Sequence, residues 1–331
     1  INDNPFHPIS KHAVDMVNEM GDETEIEWIS KEQRYSEKLA TPDVNIADLI
    51  GDIDPIKAAN HRLHYSHEGA IHFGIIPRTN RGVFVINELP DLQPRIQVGL
   101  LNIMQEKDIQ IRGFNIRIPL DVLMVFTANP EDYTNRGNII TPLKDRIDSQ
   151  IITHYPKSLE DGIEITDTYS WMKRSEGKVN IPYYFKEIIE MTAMQARVSE
   201  FVDQKSGVSA RLTISSMENL ISNAERRSIV NNEKDIYLRI CDINAVLPGM
   251  TGKMELVFEG EQEGSIKVSR ALLSKAVREI YIKYFPDPLL KKKKNDKPDA
   301  DPYAEIVEWF QYGGVVNIKD NMSFKDYFNE L

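Results

Sequence analysis

Two continuous apolar runs, each followed by polar side chains, restrict the fold of this chain more than any other feature. Residues 83–86 lead into Asn87 and Glu88, and residues 122–126 lead to Asn129. Strands that are apolar along their whole length are typical of parallel sheets covered by helices. Ligands of such sheets bind at the carboxyl ends of the strands. The pattern therefore predicts an α/β fold in which Glu88 and Asn129 share one edge of a sheet.

The segments around these runs predict further elements. Ile96, Leu100 and Ile103 recur at helical spacing, which predicts an amphipathic helix after the first strand. The stretch KDIQIRGFNIRIPL alternates on both sides of Gly113, which is typical of a β-hairpin. From about residue 157 to 285 the pattern is mainly helical. The expected fold class is therefore a partial parallel-sheet core with a hairpin, followed by an α-helical domain.

Charge and cysteine content narrow the possible partners. The chain has 51 acidic and 40 basic residues and a formal net charge of −11, which disfavours broad nucleic-acid binding. The single cysteine, Cys241, cannot form an intrachain disulfide and favours a reducing compartment. No apolar run approaches the roughly 18 residues needed to cross a bilayer. We expect a cytoplasmic protein with no membrane partner.

The order of the motifs resembles that of a known family. A strand ending in Glu88, a hairpin, a strand leading to Asn129 and the sequence Leu-Lys-Asp-Arg ending at Arg146 follow one another. Together with the segments NRGVFVINEL and LIGDIDPIKA, this order resembles the AAA+ ATPase core of the magnesium chelatase I subunit and MoxR-like proteins. The resemblance covers roughly residues 47–156, and a weaker, lid-like similarity continues to about residue 285. No single motif would be specific, but the combination is.

The resemblance implies roles for four side chains. Glu88 is similar to the Walker B glutamate, which polarises the attacking water, and Asn129 is similar to the sensor 1 residue. Arg146 matches the arginine finger, which reaches the nucleotide of a neighbouring subunit and so requires an oligomer. Arg211, in the segment GVSARLT, resembles the sensor 2 arginine. ATP and Mg²⁺ are the implied cofactors.

Each of these side chains also has a simpler interpretation. Glu88 could be a helix N-cap or a solvated acid, and Asn129 a turn residue before a proline. Arg146 could form a surface ion pair with Asp145 or Asp148, and Arg211 could point to solvent. Arg136 is a rival arginine-finger candidate. The residues alone leave these alternatives open.

Two departures from the family pattern matter for activity. Position 87 is Asn where the Walker B motif usually has Asp, so Asn87 would hold hydrated Mg²⁺ more weakly, through water. The phosphate-binding loop G-x-x-x-x-G-K-[ST] is absent, because the Gly-Lys pairs at 177–178 and 252–253 lack the other required residues. We expect the chain to be the C-terminal portion of a longer AAA+ ATPase, with its phosphate loop upstream of Ile1. By itself it should be inactive.

The domain prediction assigns residues 1–45 to an N-terminal extension and 46–156 to the AAA+ α/β core, from Walker B to the arginine finger. Residues 157–290 form a helical lid, 291–302 a charged linker and 303–331 a C-terminal appendage.

Four histidines, His61, His64, His67 and His72, have a spacing that could place three imidazoles near one face of a helix, as a zinc site requires. Gly69 interrupts the segment and no cysteine accompanies it. We therefore favour a segment that does not bind metal.

For the intact protein, the resemblance implies ATP-driven remodelling of an unknown protein client by a homo-oligomeric ring, a hexamer in the family. One alternative is a nucleotide-binding or assembly module that does not hydrolyse ATP, which Asn87 and the missing loop favour. The other is a nucleic-acid motor, which the charge of −11 disfavours.

Overall fold

The computed structural model describes the chain except for residues 61, 63–67, 112–116, 130–136, 175–176, 205 and 290–301. The described residues form two compact units, Ile1–Ile152 and Thr153–Leu331. Each unit has its own buried apolar cluster. No described helix combines the length and the apolar character that a membrane crossing demands.

The first unit alternates strands and helices. Its helices are α1 (Lys11–Met20), α2 (Ile46–Leu49), α3 (Pro55–Asn60), α4 (Ile75–Arg78), α5 (Pro94–Glu106) and α6 (Thr141–Lys144). Its strands are β1 (Tyr35–Leu39), β2 (Gly51–Ile53), β3 (Ile71–Phe73), β4 (Val83–Asn87), β5 (Asp108–Gln110), β6 (Arg117–Pro119) and β7 (Leu123–Phe126). Short 3₁₀ turns occupy Gly21–Glu23, Glu68–Ala70 and Leu89–Asp91.

The two apolar runs form neighbouring strands, as the sequence predicts. β4 is the central strand of a three-stranded parallel sheet with the order β1–β4–β7. Val83 pairs with Leu123 and Ile86 with Phe126, so the strands end at the same level. The predicted hairpin is confirmed by the antiparallel pairing of β5 and β6, although residues 112–116 between them lie outside the described part.

The sheet begins earlier in the chain than the predicted core boundary. β1 lies within residues 1–45, which the sequence analysis placed in an extension, yet Tyr35 pairs with Val83 and Leu39 with Asn87. Its sequence, YSEKL, alternates between exposed and half-buried positions, as expected of a strand at a sheet edge. The apolar pattern of the sequence did not predict β1, because this strand contains polar residues and joins the sheet by pairing with β4.

The core of the first unit lies on one face of the sheet. Phe84 and Ile86 of β4 are buried there, with Ile96 and Leu100 of α5. These helix residues are four positions apart and so lie on the same face of α5. Gln97, also buried, donates to the Leu92 carbonyl at 2.7 Å and accepts from the Ile140 N–H at 2.9 Å. α5 thus connects the end of β4 with the segment before α6.

The second unit is mainly helical, as predicted. Its helices are α7 (Leu159–Tyr169), α8 (Tyr183–Arg197), α9 (Arg211–Val230), α10 (Leu247–Met250), α11 (Phe258–Glu263), α12 (Ser265–Tyr284), α13 (Ala304–Gln311) and α14 (Phe324–Glu330). A 3₁₀ helix spans Ile240–Val246, and the strands β8 (Val179–Asn180) and β9 (Ile236–Tyr237) pair in parallel. Phe185, Met217 and Leu220 are fully buried in the shared core of α8 and α9.

The second unit also contains a buried ion pair. The Arg227 guanidinium, on α9, donates through Nη2 to Oδ2 of Asp242 at 2.8 Å, and both side chains are buried. Asp242 also accepts from Asn223 and from the backbone N–H of Arg239, each at 2.8 Å. Burial alone would lower the pKa of Arg227, but the hydrogen bonds and charge of Asp242 outweigh it and raise that pKa. The pair fixes β9 and the following 3₁₀ helix on α9.

Candidate functional site

The carboxyl ends of β4 and β7 are joined by a side chain that the sequence analysis did not single out, Thr127. Its backbone N–H donates to the Ile86 carbonyl at 3.0 Å, which continues the parallel ladder by one residue. Its hydroxyl donates to Asn87 Oδ1 at 3.2 Å and accepts from the Glu88 N–H at 3.1 Å. The Thr127 carbonyl accepts from the Leu89 N–H at 2.9 Å. Thr127 therefore holds the Asn87–Glu88 pair against the neighbouring strand.

Glu88 has a backbone conformation that is rare for this residue type. Its φ and ψ are 57° and 49°, in the left-handed region. Such a conformation costs a non-glycine residue on the order of 1–3 kcal/mol and occurs often at functional sites. Glu88 occupies the N-cap position of the turn Leu89–Asp91, but its side chain makes no capping hydrogen bond there. The N-cap interpretation of this carboxylate is therefore wrong, and the sharp turn places a half-buried carboxylate at the strand end.

Asn129 lies close to this pair along the neighbouring strand. It is two residues beyond Thr127, so the two Cα atoms are at most about 7 Å apart. Asn129 is exposed, in contrast to the half-buried Asn87 and Glu88. The fold therefore brings the backbone of residues 87, 88 and 129 to the same edge of the sheet. Pro130, which underlies the alternative interpretation of Asn129 as a turn residue, lies outside the described residues.

Arg146 follows α6 and is held away from this edge. Its Nε and Nη2 donate to Oε1 of Gln105 at 3.0 and 2.6 Å, and its Nη1 donates to the Pro142 carbonyl at 2.7 Å. Among the described residues, its partners are these groups and not Asp145 or Asp148. Gln105 lies in the last turn of α5, about 16 Å along the helix axis from Pro94, where α5 begins after the site edge. Arg146 therefore does not belong to the edge that carries Glu88 in the same molecule.

Arg211 begins helix α9 in the second unit and is exposed. Its backbone N–H donates to Ser209 Oγ at 3.2 Å. Just before it, Gly207 has a φ of +71°, and the Val208 N–H donates to Tyr155 Oη at 2.9 Å. Tyr155 also packs under the Arg197 guanidinium, which lies 4.5 Å from the ring centroid. The start of α9 is thus held by a tyrosine that the sequence analysis did not identify.

Several predictions fall outside the described part of the chain. Arg136, the rival to Arg146, lies there, as do His61, His64 and His67. His72 is described and is exposed in β3. No group of three or more His, Cys, Asp or Glu side chains suited to a metal occurs among the described residues.

The donor set at the sheet edge suits a magnesium ion that keeps most of its water ligands better than one coordinated entirely by protein groups. Asn87 Oδ1 already accepts from the Thr127 hydroxyl, and an amide oxygen carries no charge. Mg²⁺ usually keeps several waters and binds proteins through one or two carboxylates together with substrate phosphates. Glu88 supplies the only carboxylate among the four residues 87, 88, 127 and 129. These residues fit an ion that is held mainly by water and by a bound phosphate chain.

Comparisons with known proteins agree with the motif-based resemblance. Residues 64–152 match the family of the Sigma-54 interaction domain, and this range includes Glu88, Asn129 and Arg146. The chain is 30% identical over 100 residues to the magnesium-chelatase 38 kDa subunit of Cereibacter sphaeroides, covering 30% of this chain and 29% of that protein. It is 31% identical over 107 residues to the subunit of the same name from Rhodobacter capsulatus, covering 31% of this chain and 29% of that protein.

One chain of a complex of the BchI and BchD subunits of magnesium chelatase, based on a single-particle cryo-EM reconstruction, aligns with this protein. The alignment covers 70% of this chain and 72% of that chain, with 18% identity and a TM-score of 0.33. The chain spans less than a third of the length of the curated relatives named above. The predicted resemblance to AAA+ proteins of the magnesium chelatase I type is confirmed. The parallel-sheet core with its hairpin and the helical domain that follows are confirmed as well.

Proposed function

We propose that this chain carries the hydrolytic edge of an ATP-driven AAA+ machine. The observation that supports it most is the conformation of Glu88. A left-handed turn at the carboxyl end of β4 presents its carboxylate, and Thr127 ties that turn to the strand that leads to Asn129. A parallel sheet offers its ligand site at this edge. Strained backbone conformations of this kind are concentrated at functional sites.

In the proposed mechanism, Glu88 orients a water molecule for attack on the γ-phosphate of ATP and accepts its proton. The Asn129 amide contacts the phosphate oxygens from the neighbouring strand. Asn87 would hold Mg²⁺ through water, and the ion would supply positive charge to the phosphate chain. Thr127 acts indirectly, because it fixes the positions of Asn87 and Glu88.

Exposed residues of the two outer strands, on one face of the sheet, support a further part of this proposal. Tyr35, Leu39, Leu123 and Val125 project from the face opposite to the buried Phe84, and they are 48%, 54%, 62% and 38% exposed. Parallel sheets are normally covered on both faces. β7 is also the last strand on its side among the described strands. We propose that another segment adds a strand beside β7, covers this face and provides the phosphate-binding loop.

The position of Arg146 supports an oligomeric machine. Gln105 and the Pro142 carbonyl orient its guanidinium at the far end of α5, away from Glu88 of the same molecule. A guanidinium there can stabilise transition-state charge only at the site of a neighbouring subunit. We therefore propose a homo-oligomeric ring in which Arg146 acts in trans.

The first test measures ATP turnover in a protein that joins this chain to its phosphate-loop segment. Replacing Glu88 with Gln should lower kcat by about 10²–10⁴-fold while ATP binding persists, because the amide cannot accept the proton. Glu106→Gln is the matched control, since Glu106 is an exposed acid at the end of α5. Equal turnover in wild type and Glu88→Gln would refute the role of Glu88. Robust turnover by the 331-residue chain alone would refute the need for another segment.

The second test mixes two inactive variants. Rings of Glu88→Gln alone and of Arg146→Ala alone should each lack activity. Mixed rings contain some interfaces in which an intact Glu88 meets an intact Arg146, so mixing should restore part of the turnover. Absence of recovery, with exchange of subunits verified by labelling, would exclude action in trans.

A nucleotide-dependent assembly module is the second candidate, and Asn87 favours it. In this alternative, ATP binding assembles the ring and hydrolysis does not occur. The Asn87→Asp variant distinguishes the two candidates. A restored carboxylate should strengthen Mg²⁺ dependence and raise turnover if the edge is hydrolytic. If neither wild type nor Asn87→Asp hydrolyses ATP, but both assemble when ATP is added, the module is the better description.

The purpose of the machine is proposed from the relatives. Two of the matched proteins are magnesium-chelatase 38 kDa subunits by name, and AAA+ rings commonly transmit hydrolysis to a protein partner. We propose remodelling of a protein client. The test adds candidate clients to the assembled ring and measures ATP-dependent change in their protease sensitivity, with the Glu88→Gln ring as control.

A further inference from the structure

The C-terminal part of the second unit exposes an apolar helix. In α13, Ile306, Trp309 and Phe310 are 57%, 49% and 53% exposed, and none of the eight residues of this helix is buried. Positions i, i+3 and i+4 lie on one side of a helix, so these three side chains form a single stripe. We call this stripe the docking face. Most surface helices turn such a stripe toward a core, and this one does not.

The neighbouring helix α14 shows how the same segment packs where it has a partner. Phe324 stacks on Tyr237 with ring centroids 3.9 Å apart, and the Arg239 guanidinium lies 4.4 Å from the Tyr327 ring centroid. The Phe324 N–H also donates to Glu233 at 2.5 Å. α14 is therefore fixed to β9 and its flanking residues. The exposure of α13 is not a general property of the C-terminal segment.

The local contacts of α13 fix its two ends and leave the docking face uncovered. Before the helix, Tyr303 Oη bonds to Tyr281 Oη at 3.0 Å and donates to the Pro286 carbonyl at 2.6 Å. After it, the Gly314 N–H donates to the Trp309 carbonyl at 3.0 Å, and one side of the indole lies against Gly314. A helix of this length is marginal in water without packing of its apolar side. The contacts hold the docking face in place for an external partner.

The charges around the docking face define the chemistry of that partner. At about 100° per residue, Glu305 lies about 40° beyond the Trp309 edge of the stripe, and Glu308 lies about 60° farther around the helix on the same side. α13 contains no Lys or Arg. We propose that the docking face binds an amphipathic helix of another protein, one that carries Lys or Arg beside its own apolar stripe. Exposed Trp is a typical centre of such interfaces, and flanking opposite charges select the partner.

A second copy of this chain is a poorer occupant. Two docking faces in contact would bring the acidic sides of both helices together, within a pair of molecules that each carry a net charge of −11. Like charges across an interface suppress association. The inference is independent of the proposed ATPase, because it depends only on residues of the C-terminal segment.

The test uses the whole chain and a peptide of about 18 residues, made of Leu and Lys in an amphipathic helical pattern. A peptide with the same Leu positions and Glu in place of Lys is the charge control. Calorimetric titration should show binding of the Leu/Lys peptide and at least tenfold weaker binding of the Leu/Glu peptide. Trp309→Ala should weaken binding of the Leu/Lys peptide at least tenfold. Trp28→Ala should leave it unchanged, since Trp28 is an exposed tryptophan of the first unit.

A charge-reversal variant separates the docking face from general attraction to an acidic protein. Glu305→Lys/Glu308→Lys should reverse the peptide preference, whereas Glu259→Lys/Glu263→Lys on α11 changes the net charge equally and should not. Equal binding of the two peptides by wild type, or equal effects of the two double variants, would overturn the proposal. Concentration-dependent dimerisation that Trp309→Ala abolishes would overturn it in favour of a second copy. Circular dichroism confirms that each variant is folded.

Discussion

The buried ion pair between Arg227 and Asp242 allows a quantitative test of the second unit. The two side chains are 3% and 2% exposed, so truncation of Asp242 leaves a guanidinium charge in a site with little access to water. Removing one partner of a buried pair costs about 3–5 kcal/mol. Asp242→Ala also removes the acceptor of the Arg239 N–H and of Asn223. We expect a loss of about 4 kcal/mol in the free energy of unfolding, a large part of the 5–15 kcal/mol typical of a domain.

Urea unfolding followed by circular dichroism and by tryptophan fluorescence measures this loss. With a urea dependence of about 2 kcal/mol per molar, the midpoint of the second-unit transition should fall by about 2 M. Glu261→Ala, which removes an exposed acid from α11, should change the free energy by less than about 0.5 kcal/mol. The transition of the first unit serves as an internal reference.

A double-mutant cycle distinguishes a pair from two independent side chains. Arg227→Met and Asp242→Ala are the single variants, and Arg227→Met/Asp242→Ala, which removes both charges, should be less destabilised than Asp242→Ala alone. An Asp242→Ala loss below about 1 kcal/mol, or a double variant whose loss equals the sum of the single losses, would refute the account of the pair as mutually dependent buried charges.

Three further outcomes follow from the first unit. Burial alone would raise the pKa of Asp3, but backbone N–H groups and the Arg81 guanidinium outweigh it and lower that pKa below 3.8. Asp3 should therefore stabilise the unit above that pH, and this contribution should be lost as the pH falls through the lowered pKa. Asp3→Asn should remove this pH dependence of the free energy of unfolding, measured from about pH 5 to about pH 2. Phe84→Ala, at a fully buried position, should cost about 3–5 kcal/mol in urea unfolding, and a loss below about 1 kcal/mol would contradict the assigned core. Thr127→Val should lower kcat of the assembled ATPase about tenfold and its free energy of unfolding by no more than about 1.5 kcal/mol, because the exposed Thr127 hydroxyl positions Glu88 but contributes little to stability. An unchanged kcat would contradict that positioning.

Local sequence pattern predicted the elements that are apolar or periodic. β4 and β7 are continuous apolar runs, and α5 repeats its apolar residues every three or four positions. A local signal also marks the start of α14, because the Ser323 hydroxyl accepts from the Asp326 N–H at the N-cap. Each of these signals is contained in a short segment of the chain, so it can be recognised without knowledge of the tertiary structure.

The order of the motifs predicted the edge of the candidate site for a related reason. The carboxyl ends of adjacent parallel strands meet at one side of a sheet, so Glu88 and Asn129 could be placed near each other without coordinates. Thr127 was missed because a threonine after a strand is common. Its importance depends on bonds to Asn87 and Glu88, residues about forty positions earlier. One sequence signal did point to Thr127, because it directly follows the apolar run of β7, as Asn87 follows that of β4.

Only the tertiary structure decided the contacts between distant parts of the chain. The polar strand β1 joins the sheet because β4 offers it an unpaired edge, and Arg146 selects Gln105 on another helix instead of the acids beside it in sequence. The exposure of the docking face on α13 likewise depends on which surfaces the rest of the second unit covers. Sequence determines the local preference of each element through backbone sterics and apolar periodicity. Pairing, burial and the direction of a charged side chain depend on neighbours that the fold alone brings together.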